Sequence, residues 1–494
     1  MQKQNNKENL ISSNLKIKSL KLNFILNSIR LSLNFLVPLI IFPYVSRLLG
    51  PEYFGKVEFA NSIISYFILF STLGIPVYGI REIARVRDDA EKRTKTLIEL
   101  SIILIFNMLI SYVVYFLLIN LYPTLKKEKL LFLVISPSIL LNDFSYEWFY
   151  QGIEDQTYIT TRYIATKILQ IILIFCFIHK EHDYIFYAGI SVGLNSFSTL
   201  FNIIRLKKYV TKVSSLKNIN LFQHLKPVLL IFTAQIAVSI YTHLDVTMIG
   251  LICTDEDVGI YSTANRIVRL VVMIVTSLSS VIIPRIEHCL KTNDIENYNH
   301  YLQISLSFII MMALPCIAGI ELLAPDIILV FAGNKYISSI KAIRILAPVI
   351  LIIGFSNFVG MQVLYPHRKE HIYTIAVTLA AAINFISNFI LIKKIGLTGA
   401  IIGTLIAETS GLLFMTILGA KTLKKIKISI GVWKYITATL IMTMLIVFLT
   451  HILKTWNPVA IILIEVTAAA CIYFFLLLLF REKLIIEFIA KRRH

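Results

Sequence analysis

Charge is scarce in this sequence. Only 16% of its 494 residues are Asp, Glu, Lys or Arg, against the roughly 25% of an ordinary soluble domain, while 57% are apolar and the mean hydropathy is +0.75. Long polar segments are missing too: about 20 residues is the most that separates one apolar run from the next, too few for a Rossmann unit or a nucleotide-binding module. No GxxxxGKS or GxxxxGKT phosphate loop occurs, so an ATP-driven pump within this chain is excluded and no nucleotide is expected. Cysteine is sparse: Cys176, Cys253, Cys289, Cys316 and Cys471 are scattered, with no CxxC and no histidine at zinc spacing. They read as small core residues, and no metal or other cofactor is expected.

What is present is a succession of apolar runs, near 23-46, 56-79, 98-119, 130-150, 161-178, 184-204, 227-252, 258-284, 301-320, 342-362, 372-392, 397-420, 435-450 and 458-480. A crossing needs about 20 apolar residues, so the expected fold is an all-α polytopic membrane protein of about fourteen transmembrane helices. The first run is too long, and too far from the start, for a cleaved signal. The formal charge of +19 points to orientation rather than nucleic acid. With both termini placed inside, the cytoplasmic segments hold 32 Lys and Arg and the outer loops 11, the bias of the positive-inside rule. Lys16, Lys18 and Lys21, alternating with Ile17, Leu20 and Leu22, suggest a short interfacial helix.

The chain carries an internal duplication at an offset of 204 residues: Glu52, Gly55, Ala60, Asn61 and Ile63 recur as Glu256, Gly259, Ala264, Asn265 and Ile267. Each copy covers the loop and start of the second span in a block of six, so the blocks are parallel repeats. The expected organisation is an interfacial segment 1-21, an N-lobe 22-205 of six spans, a cytoplasmic linker 206-226 and a second six-span lobe 227-420. Two further spans and a basic cytoplasmic tail occupy 421-494. Gly396-Leu397-Thr398-Gly399 opens a third loop of similar style.

Basic residues inside the runs include Arg30, Lys167, Arg266, Arg269 and Arg344. Acidic ones include Asp143, Glu147, Asp245, Glu408 and Glu465. A charge at mid-bilayer costs about 2.5–3.5 kcal/mol even on lenient scales, so each must face water or a partner. Asn27, Arg30 and Asn34 form one helical stripe, Glu58, Asn61 and Ser65 another. Gln235, Ser239, Thr242 and Asp245 line the seventh span, and Asn265, Arg266, Arg269 and Thr276 the eighth. Two readings stand: these stripes line a hydrophilic cavity between two pseudo-symmetric lobes, or they are polar glue between helices with Arg and Asp neutralised in pairs. In a cavity, guanidinium forks suit a phosphate headgroup, and Asp245 or Glu408 could couple transport to protons or sodium.

Several stretches carry a resemblance. Ser46-Arg47-Leu48-Leu49-Gly50-Pro51-Glu52-Tyr53-Phe54-Gly55, followed by Gly79-Ile80-Arg81-Glu82-Ile83-Ala84-Arg85, resembles the Wzx-type polysaccharide flippases of O-antigen and capsule assembly. So do Glu147-Trp148-Phe149-Tyr150-Gln151-Gly152-Ile153-Glu154, with Arg162 and Lys167 behind, and Val258-Gly259-Ile260-Tyr261-Ser262-Thr263-Ala264. The family belongs to the multidrug/oligosaccharidyl-lipid/polysaccharide exporter superfamily. The resemblance implies two six-helix lobes working by alternating access in a bacterial inner membrane. It implies a substrate made of an oligosaccharide repeat unit on undecaprenyl diphosphate, met by cavity cations. Its partners would be membrane lipids and the polysaccharide polymerase and chain-length proteins. Two other readings compete: a cation-coupled multidrug antiporter of the same superfamily using Asp245 or Glu408, and a glycan polymerase or ligase, which the short outer loops disfavour.

Overall fold

The computed structural model describes residues 20–211, 219–426, 428–453 and 456–490. Lys16 and Lys18 of the expected interfacial helix, part of the 206-226 linker and the end of the basic tail lie outside them. Every regular element among the described residues is helical, and twelve helices are long and apolar enough to cross a membrane. Two features separate these twelve from the expected fourteen. The first and second spans form one kinked helix, Leu20–Thr72, broken at Gly50. The sixth, Tyr184–Leu206, is diluted by Ser191, Asn195, Ser196, Ser198, Thr199 and Asn202 and is not among the twelve.

The kink follows from its residues. Gly50 adopts φ 69°, a left-handed value that costs glycine nothing, and Pro51 restarts the helix where its missing N–H is not needed.

On Ala90–Leu121, Phe106, Leu109, Val113, Leu117 and Leu121 are all exposed at spacings of three and four, one continuous apolar ridge. A ridge of this kind in contact with water would be an aggregation hazard; against lipid it is the expected surface. The chain is a multi-pass membrane protein.

The chain divides into two compact units: one runs to Leu49 and resumes over Lys56–Thr247, the other combines Gly50–Gly55 with Met248–His494. In the first, Ile75–Arg85 starts from the left-handed Leu73 and Gly74 pair and Asp89 caps Ala90–Leu121 through Lys92 N at 3.0 Å. The fourth span is segmented into Lys129–Ile135, Pro137–Asp143 and Glu147–Gly152. Its last segment interlocks with Ile75–Arg85 through two glycines: a Cβ on Gly79 would lie 2.4 Å from the Trp148 ring, and one on Gly152 2.7 Å from Ile83. Trp148, Phe149, Tyr150 and Ile83 anchor the resulting core. The helix Phe222–Ile252 runs with this unit as far as Thr247. It packs Val228 and Ile231 over Gly74, Phe232 on Phe70 at 5.5 Å between rings, and Thr247 onto Ser62 at 3.0 Å.

In the second unit, Thr254 and Asp257 form a reciprocal capping box at the start of Asp255–Thr276. Three acidic residues in that first turn complement the helix dipole, which accounts for the acidity of this loop. The duplicated motifs meet here. A Cβ on Gly55 would lie 1.8 Å from the Asp255 carbonyl oxygen, and one on Gly259 1.9 Å from that of Pro51: each copy's glycine admits the other's backbone. Glu370–Ile395 and Leu397–Leu418 form a tight helical hairpin turned at Gly396 (φ 57°), with Gly399 against the Leu391 carbonyl and Gly403 against the Asn388 side chain. Val432–Ile452 and Pro458–Leu479 pack on Ile295–Phe331 through Tyr435, Tyr473, Ile310 and Met311.

The reciprocal glycine contact predicts an asymmetric response to added methyl groups. Gly259→Ala forces two backbones apart and should cost on the order of 1–3 kcal/mol or more, seen as a lowered thermal unfolding midpoint of the purified protein. Gly193→Ala, at a helical glycine with nothing within 4 Å, should be neutral or slightly stabilising. Equal midpoints for the two variants would contradict the packing.

Candidate functional site

In the first unit the polar stripe of the first span meets the segment that follows the fourth. Arg30 makes an ion pair and hydrogen bond with Glu147, and its Nη2 donates to Asn27 Oδ1 at 3.2 Å. Arg162, early in Gln156–Phe177, donates from Nη2 to the other oxygen of Glu147 at 3.0 Å. Gln151 Nε2 adds a hydrogen bond to Glu147 at 3.3 Å. All three charged side chains are at least two-thirds buried. Glu147 is placed by Tyr146, whose left-handed φ of 47° breaks the helix after Asp143, and by the Trp148–Gly79 packing behind it.

One carboxylate between two guanidiniums leaves a unit of positive charge uncompensated. Both arginines also keep an unspent donor, since Arg30 Nε and Arg162 Nε are buried without a hydrogen-bond partner. Next to Arg162 on Gln156–Phe177, Tyr163 donates to Asn34, and about one turn further on Lys167 Nζ stands 5.5 Å from the Tyr163 ring centre. Lys167 Nζ donates to Gln170 Oε1 at 2.9 Å, a neutral partner, so its charge adds to that of the arginines. A partly desolvated, net-cationic cluster with free N–H groups is what an oxyanion such as a phosphate requires.

The structure therefore brings together Asn27, Arg30, Asn34 and Lys167 from the sequence-derived set and adds Glu147, Arg162 and Tyr163. Asn61 and Thr242 are exposed; Thr242 donates to its own helix at Val238 O, and Asn61 O accepts from Ser65. Gln235 is half-buried and Asp245 buried. In the second unit Arg269 Nη2 donates to Glu408 Oε1 at 3.2 Å, with Glu408 nearly fully buried. The carboxylate considered for coupling is thus engaged by a cation. Arg266 lies over the Phe54 ring at 5.2 Å, and Asn265 beside it is half-buried.

Arg344 stands apart from the other cations. The 342-362 run is not one continuous helix but begins with Ser339–Leu346, which buries Ser339, Ala342, Ile343 and Leu346 and leaves Arg344 exposed, donating to the Glu321 carbonyl at 3.0 Å. The spacing three and four was there to read, but the surrounding hydropathy masked it. Arg162 was missed for the opposite reason: the count of basic residues assigned it to a cytoplasmic loop, and only the fold carries it back against Glu147.

The family model described as "Polysaccharide biosynthesis protein" matches residues 20–289, more than half of the chain. The chain belongs to this polysaccharide biosynthesis family. Its second half also matches the MatE model over 231–392. A protein of Escherichia coli (strain K12) named "Putative O-antigen transporter" is 26% identical over 409 residues, covering 79% of this chain and 95% of the relative. Among solved structures, the lipid II flippase MurJ in an inward closed conformation superposes with a TM-score of 0.72 at 21% identity, covering 93% of this chain and 100% of MurJ. An inward-facing multidrug resistance transporter of the MATE family superposes with a TM-score of 0.63 at 16% identity, covering 81% of this chain and 98% of that one. At these identities the superpositions establish the fold. The Arg30 cluster lies wholly within the region matched by the polysaccharide family model, so this family member holds its net-cationic site on its first, fourth and fifth spans.

The shared carboxylate predicts unequal mutants. Glu147→Ala leaves two part-buried guanidiniums without a counter-ion and should destabilise toward the low end of the roughly 3–5 kcal/mol of a broken buried pair. Arg30→Ala leaves Glu147 still paired with Arg162 and should cost clearly less. Thermal unfolding of the detergent-purified variants measures the difference; an equal or larger loss for Arg30→Ala would contradict the sharing.

Proposed function

We propose that the protein is a flippase that moves a lipid-linked oligosaccharide from the cytoplasmic to the outer leaflet by alternating access. The observation that carries this reading is the net-cationic Arg30–Glu147–Arg162 cluster, extended by Lys167, in a member of a polysaccharide biosynthesis family. A polyprenyl diphosphate such as undecaprenyl diphosphate presents oxygens that match guanidinium forks, whereas a cationic drug would be repelled. Names among the relatives support the same substrate class: an O-antigen transporter and, for the shared fold, a lipid II flippase. The protein acts as a transporter rather than an enzyme, since the chemistry required is translocation of a polar headgroup.

The bias of 32 inner against 11 outer Lys and Arg supports cytoplasmic termini, and a bacterial inner membrane fits the relative's role. Because the cell interior is negative, each anionic charge moved outward gains about 2.3 kcal/mol per 100 mV, so the membrane potential supplies driving force without nucleotide. Polysaccharide polymerase and chain-length proteins would then take up the product on the far side.

The test is complementation of a strain lacking its own flippase. Arg30→Gln, Glu147→Gln and Arg162→Gln together remove the cluster's charge without orphaning any member. The triple variant should reach the membrane at normal level yet lower surface polysaccharide at least about tenfold, the effect of losing one charge-assisted hydrogen bond. Normal surface polysaccharide from it would refute the role of the cluster.

A further inference from the structure

The motif Gly79-Ile80-Arg81-Glu82-Ile83-Ala84-Arg85 uses its glycine and isoleucines in packing, and its charges are left unexplained by the Arg30 cluster. They border a concavity of about 730 Å³ in the first unit, a size within the range of small-ligand sites. The end of Ile75–Arg85 and the starts of Ala90–Leu121 and Phe222–Ile252 enclose it. The lining shares no residue with the Arg30 cluster.

The six basic residues of 81–97 do not serve one purpose. Arg87 is spent on Glu154 at 2.8 Å. Arg93 is buried, donating to the carbonyls of Arg87 at 2.5 Å and Tyr209 at 3.3 Å. The remaining four, Arg81, Arg85, Lys92 and Lys95, all line the concavity. Two carboxylates line it with them. Glu99 is almost fully buried and already accepts from Asn220 N at 2.9 Å, Gln223 Nε2 at 3.2 Å and His224 Nε2 at 3.0 Å. Its nearest cation is Lys95, at 3.9 Å. His224 is held on its other side by Tyr78 at 2.9 Å. Glu82 reaches Arg85 only at 4.0 Å, and Lys92 turns to its own cap, Asp89, at 3.1 Å. Arg81 is exposed, and no ion pair engages it among the described residues.

With Lys92 engaged by Asp89, three cations, Arg81, Arg85 and Lys95, face one loosely paired carboxylate and one whose oxygens are occupied. Three apolar residues line the concavity with the charges: Pro227, Ile231 and the exposed Leu230. Orientation by positive charge alone requires cations on this side of the membrane but does not require them to encircle a concavity.

We infer that this concavity is a second anion site, binding a phosphate group through Arg81 and Lys95, with the exposed Leu230 beside it taking the first carbons of a lipid phosphate. The ligand chemistry is a phosphate ester or diphosphate, which either a phospholipid headgroup or a free anion can supply.

Native mass spectrometry of the full chain released from phosphatidylcholine micelles with added dioleoyl phosphatidic acid tests it, with sodium diphosphate as the free-anion arm. The wild type should retain one phosphatidic acid above the phosphatidylcholine background, and Arg81→Gln with Lys95→Gln should retain at least fivefold less. Arg81→Lys should keep most of the binding. Displacement of the lipid by millimolar sodium diphosphate identifies free phosphate as a ligand of the same site; retention of the lipid in its presence identifies the lipid headgroup. In the Arg30→Gln, Glu147→Gln, Arg162→Gln background, adding Arg81→Gln and Lys95→Gln should lower retention by the same factor, so the result does not depend on the flippase reading. Equal retention by the wild type and the Arg81→Gln, Lys95→Gln protein, or none by either, would overturn the inference.

Discussion

A single carboxylate shared by two arginines is the constraint on which the first unit's polar interior depends. An isolated guanidinium inside an apolar helix bundle is too costly to keep, and two of them are tolerated because Glu147 offers one oxygen to each. The arrangement joins the first span, the end of the fourth and the start of the fifth without neutralising the group. In the second unit Arg269 donates to Glu408 at 3.2 Å. The two-to-one cluster remains short of negative charge and retains the buried Nε donors of both arginines. The same residue types thus meet as an Arg269–Glu408 contact in one unit and as two arginines on one carboxylate in the other.

Close backbone approach is the second organising device, and glycine supplies it. Gly79 and Gly152 let the short segment Glu147–Gly152 lie flat on Ile75–Arg85, which fixes the position of Glu147 by packing that it does not itself make. Gly55 and Gly259, at equivalent positions in the duplicated motifs, each receive a carbonyl from the opposite copy. A larger residue at either would displace main chain, for which no rotamer change compensates. The motifs that carry the family resemblance are therefore largely the contacts by which the helices meet.

Much of this was legible beforehand. Apolar runs, charge asymmetry and the repeat at 204 residues gave the fold class, because lipid imposes length and composition on every span. The stripe Asn27, Arg30, Asn34 was visible from helical spacing alone. What could not be read was partnership. Arg162 is adjacent to Glu147 only because the chain reverses between them, and Phe222–Ile252, which the repeat assigns to the second lobe, is bound as far as Thr247 to the first unit by Phe70, Gly74 and Ser62. Arg344 shows the converse, a cation inside an apolar window that a short amphipathic helix turns outward. Windowed hydropathy averages over the three-residue spacing that decides such cases.

If the cluster is an anion receptor held half-satisfied by its own carboxylate, then Glu147 competes with the ligand for the two guanidiniums. Calorimetric titration of the purified protein with farnesyl diphosphate, a short prenyl diphosphate, measures that competition directly. The account predicts tighter binding to Glu147→Gln than to the wild type, with the ligand restoring thermal stability that the substitution removes. Weaker or unchanged affinity in Glu147→Gln would mean that the carboxylate does not oppose the anion, and the cluster would have to be read as structural.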